Sequence, residues 1–260
     1  MKKSDHRFEK AKLCWQSPDA AEAYRLSRST QCDRRFAREE AILGSWLDRL
    51  PRNSLVLDIP CGTGRCLASV VRRGLRYLGA DISPAMIVEA QREAQSHPHP
   101  ELIQGFRVAD AEHMEFPDDS MDCVIVWRLL HHVRSPRIRQ NILKEAARVT
   151  RSKVLISFHH AISFTNFRKA IRRFLAGERV SPAITHWQLK REAAACGLSV
   201  AETKGFQKYV SINWFACLSK VRAITPDGQP ARTANSSSHQ AAAPVPEASV
   251  VSRDATPPGR

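Results

Sequence analysis

Apolar positions along this chain follow two alternating rhythms. Short apolar runs, rich in Val, Ile and Leu, are separated by stretches whose apolar residues recur at helical spacing. The runs predict strands at Leu55–Asp58, about Tyr77–Asp81, about Gly105–Ala109, Cys123–Trp127 and Lys153–Phe158. Strand and helix in alternation is the pattern of a doubly wound parallel sheet. Leu198–Glu202 and Ser211–Leu218 then read as a closing hairpin, giving an α/β fold with a seven-stranded, mostly parallel sheet. Upstream, Asp19 to Leu50 reads as helical, with Phe36, Ile42, Leu43, Trp46 and Leu47 on one face, until Pro51 and Asn53 break it.

Two further helices follow the fifth strand. Phe164 to Arg179 places Phe164, Phe167, Ile171, Phe174 and Leu175 on one face, and Arg168, Lys169, Arg172, Arg173 and Arg179 over much of the rest. Such a helix suits a lid over an active site, an anionic membrane surface or an RNA backbone; the lid is the favoured reading. Trp187 to Cys196 is the second helix. From about Ile224 the chain turns to Pro, Ser, Ala and Gln without an aromatic residue, and cannot bury enough apolar surface to offset its entropy. The expected organisation is an N-terminal helical cap over 1–50, a single α/β domain over 51–223 and a disordered tail over 224–260.

Composition narrows the setting. The seven cysteines are irregularly spaced, which argues for reduced thiols in a cytoplasmic protein. The first ten residues lack the apolar run of a signal peptide, and no stretch is apolar for the ~20 residues of a membrane span. The formal net charge is +14, and the tail, with four arginines and three acids from Val221 on, contributes almost none of it. A surplus this large favours contact with an anionic partner.

The chemistry concentrates in Val56 to Arg65, VLDIPCGTGR. A buried strand ends in Asp58 and runs into a turn with Gly62 and Gly64, before a helix expected from about Arg65. In open α/β sheets, ligands sit outside the carboxyl ends of the strands. A dinucleotide fingerprint needs a third glycine where Leu67 stands. Asp58 would also repel a pyrophosphate, and would attract a cation. S-adenosylmethionine carries a sulfonium and an ammonium and no phosphate. Neither Cys61 nor Cys66 has neighbours that complete a tetrahedral set, so no metal is expected.

VLDIPCGTGR resembles the first motif of the class I S-adenosylmethionine-dependent methyltransferases, with Pro60 replacing a usual glycine. The resemblance runs in order through Tyr77–Asp81 (YLGAD), Ile82–Met86, Val108–Ala111, Phe116–Val126, Leu130–Val133 (LHHV) and Glu145–Val149 (EAARV). Asp81 follows Asp58 by 23 positions, near the ~20 typical of a ribose-binding carboxylate. The family's usual turn before strand five is replaced by Thr150-Arg151-Ser152-Lys153, so a shorter or reshaped connection is expected there. The overall likeness is to its small-molecule group, which includes the quinone-biosynthesis enzymes.

The resemblance implies roles. Asp58, Pro60, Cys61, Gly62 and Gly64 would form the cofactor loop. Asp81 would hold the ribose hydroxyls, Asp110 and Ala111 the adenine edge, and Ile82 and Met86 its faces. Trp127 and Arg128 would stand beside the methionine end, with Tyr24 and Arg25 closing over the cofactor. His132 and His159, after strands four and five, are the candidate general bases, since imidazole titrates near neutrality. The implied activity is methyl transfer to a small molecule, lipid-like or phosphorylated. The alternatives are an RNA methyltransferase using the basic surface, and a non-catalytic cofactor-binding activator of a partner subunit. Deleting residues 226–260 should leave the melting temperature and cofactor affinity nearly unchanged; a thermal-melt loss of several degrees would show that the tail packs on the domain.

Overall fold

The computed structural model describes Lys12, Ser17, Asp19 and residues 21–23, 33–161, 183–206 and 212–221. By its contacts the chain falls into two units, Met1–Val221 and Arg222–Arg260, and the second lies outside the described residues. So do the basic helix expected over Phe164–Arg179, and Tyr24 and Arg25. Among the described residues, no helix is long and apolar enough to cross a membrane.

Seven strands form one sheet in the order β3-β2-β1-β4-β5-β7-β6. They are β1 (Leu55–Asp58), β2 (Arg76–Asp81), β3 (Ile103–Val108), β4 (Met121–Val126), β5 (Thr150–His159), β6 (Leu198–Gly205) and β7 (Asn213–Lys220). The first five are parallel; β7 runs antiparallel between β5 and β6. The helices are α1 (Asp33–Leu47), α2 (Leu67–Val71), α3 (Pro84–Gln95), α4 (Pro136–Val149) and α5 (His186–Ala194), with short 3-10 turns at Pro100–Leu102 and Leu130–His132.

Period-two alternation divides the strand side chains between two cores. Val124 and Val126 of β4 join Val154 and Ile156 of β5 against Ile142 and Leu143 of α4 and Leu189 of α5. Cys123 and Ile125 face the other way, with Tyr77 and Leu155, against Trp46 and Leu47 of α1, Val70 of α2 and Ala90 of α3. Both faces of the central strands are fully buried, which explains why their sequences read as unbroken apolar runs.

The elements depart from the expected boundaries for local reasons. The N-terminal helix, described from Asp33, ends at Leu47 rather than Leu50. α2 begins at Leu67 rather than Arg65, because the glycine turn continues through Cys66. β3 begins at Ile103: Tyr77 pairs with Ile103 and Leu78 with Gly105, so Gln104 bulges and breaks the alternation. β5 begins at Thr150 with no intervening turn. Met121 pairs with Thr150 and Cys123 with Lys153, and Asp122 opposite the bulge accepts from Arg151 at 2.9 Å and from the Leu55 N–H at 2.7 Å. α5 opens one residue before Trp187, at a capping box in which the Thr185 hydroxyl accepts from the Gln188 N–H and the Gln188 side chain accepts from the Thr185 N–H.

One buried ion pair joins α4 to α5. The Arg139 guanidinium donates to Glu192 at 2.9 Å and to the Val133 and Arg134 carbonyls at 3.1 and 3.0 Å. Both partners are about 95% buried. Arg139→Ala would leave Glu192 as an uncompensated buried charge, and chemical denaturation should report a loss of about 3–5 kcal/mol.

Candidate active site

The sheet order reverses beside β1, and the carboxyl ends of β1, β2, β3 and β4 frame a cleft of about 280 Å³. β1 leaves the sheet at Asp58, and the ladder continues one step on each side. The Ile59 N–H donates to Ile125 at 2.9 Å and the Cys61 N–H to Ala80 at 2.8 Å. The Ile59–Pro60 peptide is cis, and Gly62 and Gly64 take φ of 54° and 81°, where a Cβ is disfavoured.

Asp81 closes the turn. Its Oδ2 accepts from the Gly62 N–H and its Oδ1 from the Ser83 N–H, each at 2.9 Å. Ser83 in turn caps α3 by accepting from the Met86 N–H at 3.2 Å. Burial raises the Asp81 pKa against the pull of these backbone donors. The carboxylate lines the cleft and has acceptor capacity beyond these bonds.

Asp58 lies beneath the turn, 1% exposed, rather than on the cleft wall. Its Oδ2 accepts from the Tyr77 hydroxyl at 2.9 Å, while its Oδ1 accepts no hydrogen bond of ordinary geometry. Burial pushes its pKa up to about 7; the Tyr77 hydroxyl and Cys66 oppose the rise, and the Asp81 charge adds to it. Burial likewise raises the pKa values of the Cys61 and Cys66 thiols well above the ordinary range, so neither thiol is an activated nucleophile.

The structure brings most of the sequence-derived residues to one cleft. Pro60, Cys61 and Gly62 form its floor, Asp81, Ile82 and Met86 one side, and Asp110 and Ala111 the next. Trp127, Arg128 and His132 complete the far side. Gly64 shapes the turn without reaching the wall. His159 stands behind the wall, stacked on His131 at 4.6 Å between ring centroids. His131 itself lines the cleft and lies 4.1 Å from the His132 ring. His132 is exposed on the rim, yet the surrounding protein and the Arg128 charge lower its pKa.

Arg65 and Lys12 of the wall, and Glu39 outside it, were not anticipated, while Trp127 and Arg128 were. Arg65 and Arg128 share one buried acceptor, Glu39 of α1, at 2.8 and 3.2 Å. Glu39 falls on the face of α1 that carries Ile42, Leu43 and Trp46, so a carboxylate inside an apolar stripe was its signal. Arg128 has φ of 58°, and its N–H donates to the Ser157 hydroxyl at 2.6 Å. Trp127 is fixed by stacking on Phe215 at 4.8 Å. Lys12 reaches the wall beside Asp110. Among the described residues, no group of three or more His, Cys, Asp or Glu side chains is placed to hold a metal ion.

The donor set fits S-adenosylmethionine. Asp81 on the wall, with Asp58 beneath the turn, gives this side of the cleft an acidic character that suits a cationic ligand. The free lone pairs of Asp81 suit vicinal hydroxyls, and Ile82 and Met86 offer apolar surface for a base.

A seven-stranded sheet of this order, with an acid and glycine turn at its switch point, has the Rossmann-like methyltransferase architecture. Residues 56–153 match the family described as methyltransferase domain. A magnesium protoporphyrin IX methyltransferase of Arabidopsis thaliana is 26% identical over 148 residues, 56% of this chain and 46% of that protein. An uncharacterized methyltransferase of Schizosaccharomyces pombe is 35% identical over 99 residues, 38% of this chain and 36% of that one. The crystal structure of magnesium protoporphyrin IX methyltransferase from Synechocystis PCC 6803 with bound S-adenosylhomocysteine superposes with a TM-score of 0.60 at 19% identity, covering 70% of this chain and 82% of that one. The chain thus spans less than half the length of these two curated relatives. Its central segment matches a methyltransferase domain, and its fold is that of the class I S-adenosylmethionine-dependent enzymes the motifs resemble.

A carboxyl group whose pKa is raised on folding binds its proton in the native state where the unfolded chain has lost it. Stability therefore falls as pH rises from the ordinary carboxylate range to about 7, and stays low above it. Asp58→Asn removes this dependence. Denaturation midpoints should show the variant gaining on the wild type across that window, by about 1–3 kcal/mol above pH 7. A difference independent of pH would show that Asp58 ionises normally.

Proposed function

We propose that this protein transfers the methyl group of S-adenosylmethionine to a small-molecule acceptor bound beside His131 and His132. The supporting observation is the imidazole cluster at the carboxyl ends of β4 and β5, opening onto the same cleft as the cofactor residues. When bound, the cofactor supplies a methyl group on a sulfonium whose departure leaves a neutral thioether.

The chain's own task is then mainly positioning. Asp81 accepts the ribose hydroxyls on the lone pairs left by Gly62 and Ser83. Asp110 and the Ala111 backbone take the adenine edge, with Ile82 and Met86 on its faces. Arg128, steered by Glu39, faces the methionine carboxylate beside Trp127. Pro60, Cys61 and Gly62 form the surface on which the cofactor lies, and Asp58 and Gly64 hold that turn from below. His132, with its lowered pKa, is neutral at pH 7 and can take a proton from a hydroxyl or amine at the rim. His159 buttresses it through the His131 ring.

An RNA acceptor is the second reading, drawing on the net charge of +14. Incubation with labelled cofactor and a fractionated cell extract separates the two. Label in the small-molecule fraction is expected; label in RNA would overturn the first reading. Calorimetry should show S-adenosylhomocysteine binding with a micromolar Kd, on the order of −8 kcal/mol. Asp81→Ala should weaken it by roughly 1.5–3 kcal/mol, and an unchanged affinity would remove Asp81 from the site.

A further inference from the structure

The motifs leave Lys12 unexplained. It stands far upstream of the first strand, yet its side chain is only 12% exposed and forms part of the cleft wall. Its Nζ donates to Asp110 Oδ2 and to Glu112 Oε1, both at 2.8 Å. Neither acid is loosely held. Asp110 Oδ1 accepts from the Glu112 N–H at 2.9 Å, and Glu112, 8% exposed, accepts on its other oxygen from Asn141 of α4 at 3.2 Å. Two anchored carboxylates thus converge on one ammonium. Burial alone would lower the Lys12 pKa, but the hydrogen bonds and charges of the two acids outweigh it and raise the value. The ion pair therefore persists through the physiological range.

Position matters more than strength here. Asp110 is the carboxylate assigned to the adenine edge, so the lysine sits where that base would enter and leave. A buried aliphatic stem with its charge fixed at the far end narrows the cleft at that point. We propose that Lys12 is a cofactor-retaining latch, which must detach from Asp110 and Glu112 before the adenosyl group can be exchanged. This rests on the placement of adenine at Asp110. Glu112 does not line the cleft, and acts as a positioning residue through Lys12.

The test follows S-adenosylhomocysteine release by stopped-flow fluorescence, which needs no acceptor. Lys12→Met and Glu112→Gln should each speed release about tenfold, the scale of a lost charged hydrogen bond. The double variant should release no faster than Lys12→Met alone, and Lys12→Arg should stay near the wild type. Wild-type release should quicken with added salt, and the Lys12→Met rate should not. Unfolding midpoints measured without ligand separate a lost latch from a damaged fold: Glu112→Gln leaves no uncompensated buried carboxylate, so its faster release should come with a midpoint close to the wild type. Release from Lys12→Met at the wild-type rate overturns the proposal, as does slower release, which would mean that Lys12 competes with the cofactor for Asp110. A failure of the adenine placement reads differently: Asp110→Asn would then leave the affinity for S-adenosylhomocysteine unchanged.

Discussion

The cleft depends on a single carboxylate that ties together three pieces of backbone. Asp81 ends β2, receives the Gly62 N–H from the turn after β1, and receives the Ser83 N–H at the start of α3. Without it the glycine turn would keep only the Cys61 N–H bond to Ala80 as its tie to the second strand, and α3 would lose the orientation of its capping serine. Charge-assisted bonds to backbone are among the stronger polar contacts available. Here they are made in a nearly dry setting, so the acid is held in place by the same groups whose N–H donors it satisfies.

Around that anchor the charges are segregated. Asp58 and Asp81 lie under and beside the turn, where their hydrogen bonds come from the Tyr77 hydroxyl and from backbone N–H groups. The two arginines of the wall lean instead on Glu39, supplied by α1. A zwitterionic ligand in this cleft would meet the Asp81 carboxylate on one part of the wall and the Arg65 and Arg128 guanidinium groups on another. The geometry favours one direction of entry for such a ligand, and the reverse orientation would put like charges together.

Much of this was legible in the sequence because the relevant signals are local. Strand, acid and glycine follow one another within ten residues, and Asp81 and Asp110 occupy equivalent strand ends, so topology alone carries them to one edge. Asp58 was correctly placed at the turn, but its role as a buried support rather than a wall residue depends on Tyr77, which no spacing rule connects to it. The bulges at Gln104 and opposite Asp122 were illegible because each trades pairing for an extra residue, and alternation cannot register that. Glu39 and Lys12 lay beyond reach for another reason. Each meets its partners across a long sequence separation, and only the folded chain reveals which of many surface-like charges turns inward.

The placement of Glu39 also bears on modularity. The part of this chain shared with other methyltransferases starts at residue 56, which makes everything before it look interchangeable. Yet the counter-charge for both wall arginines comes from that earlier part. Grafting the shared segment onto a different N-terminal helix would carry over the strands and the glycine turn but would take Glu39 away from two cations of the cleft wall. A functional chimera would have to bring its own acid to that spot. The α1 helix thus sets the charge balance of the cleft without lining it, and it would have to diversify in step with the arginines it holds.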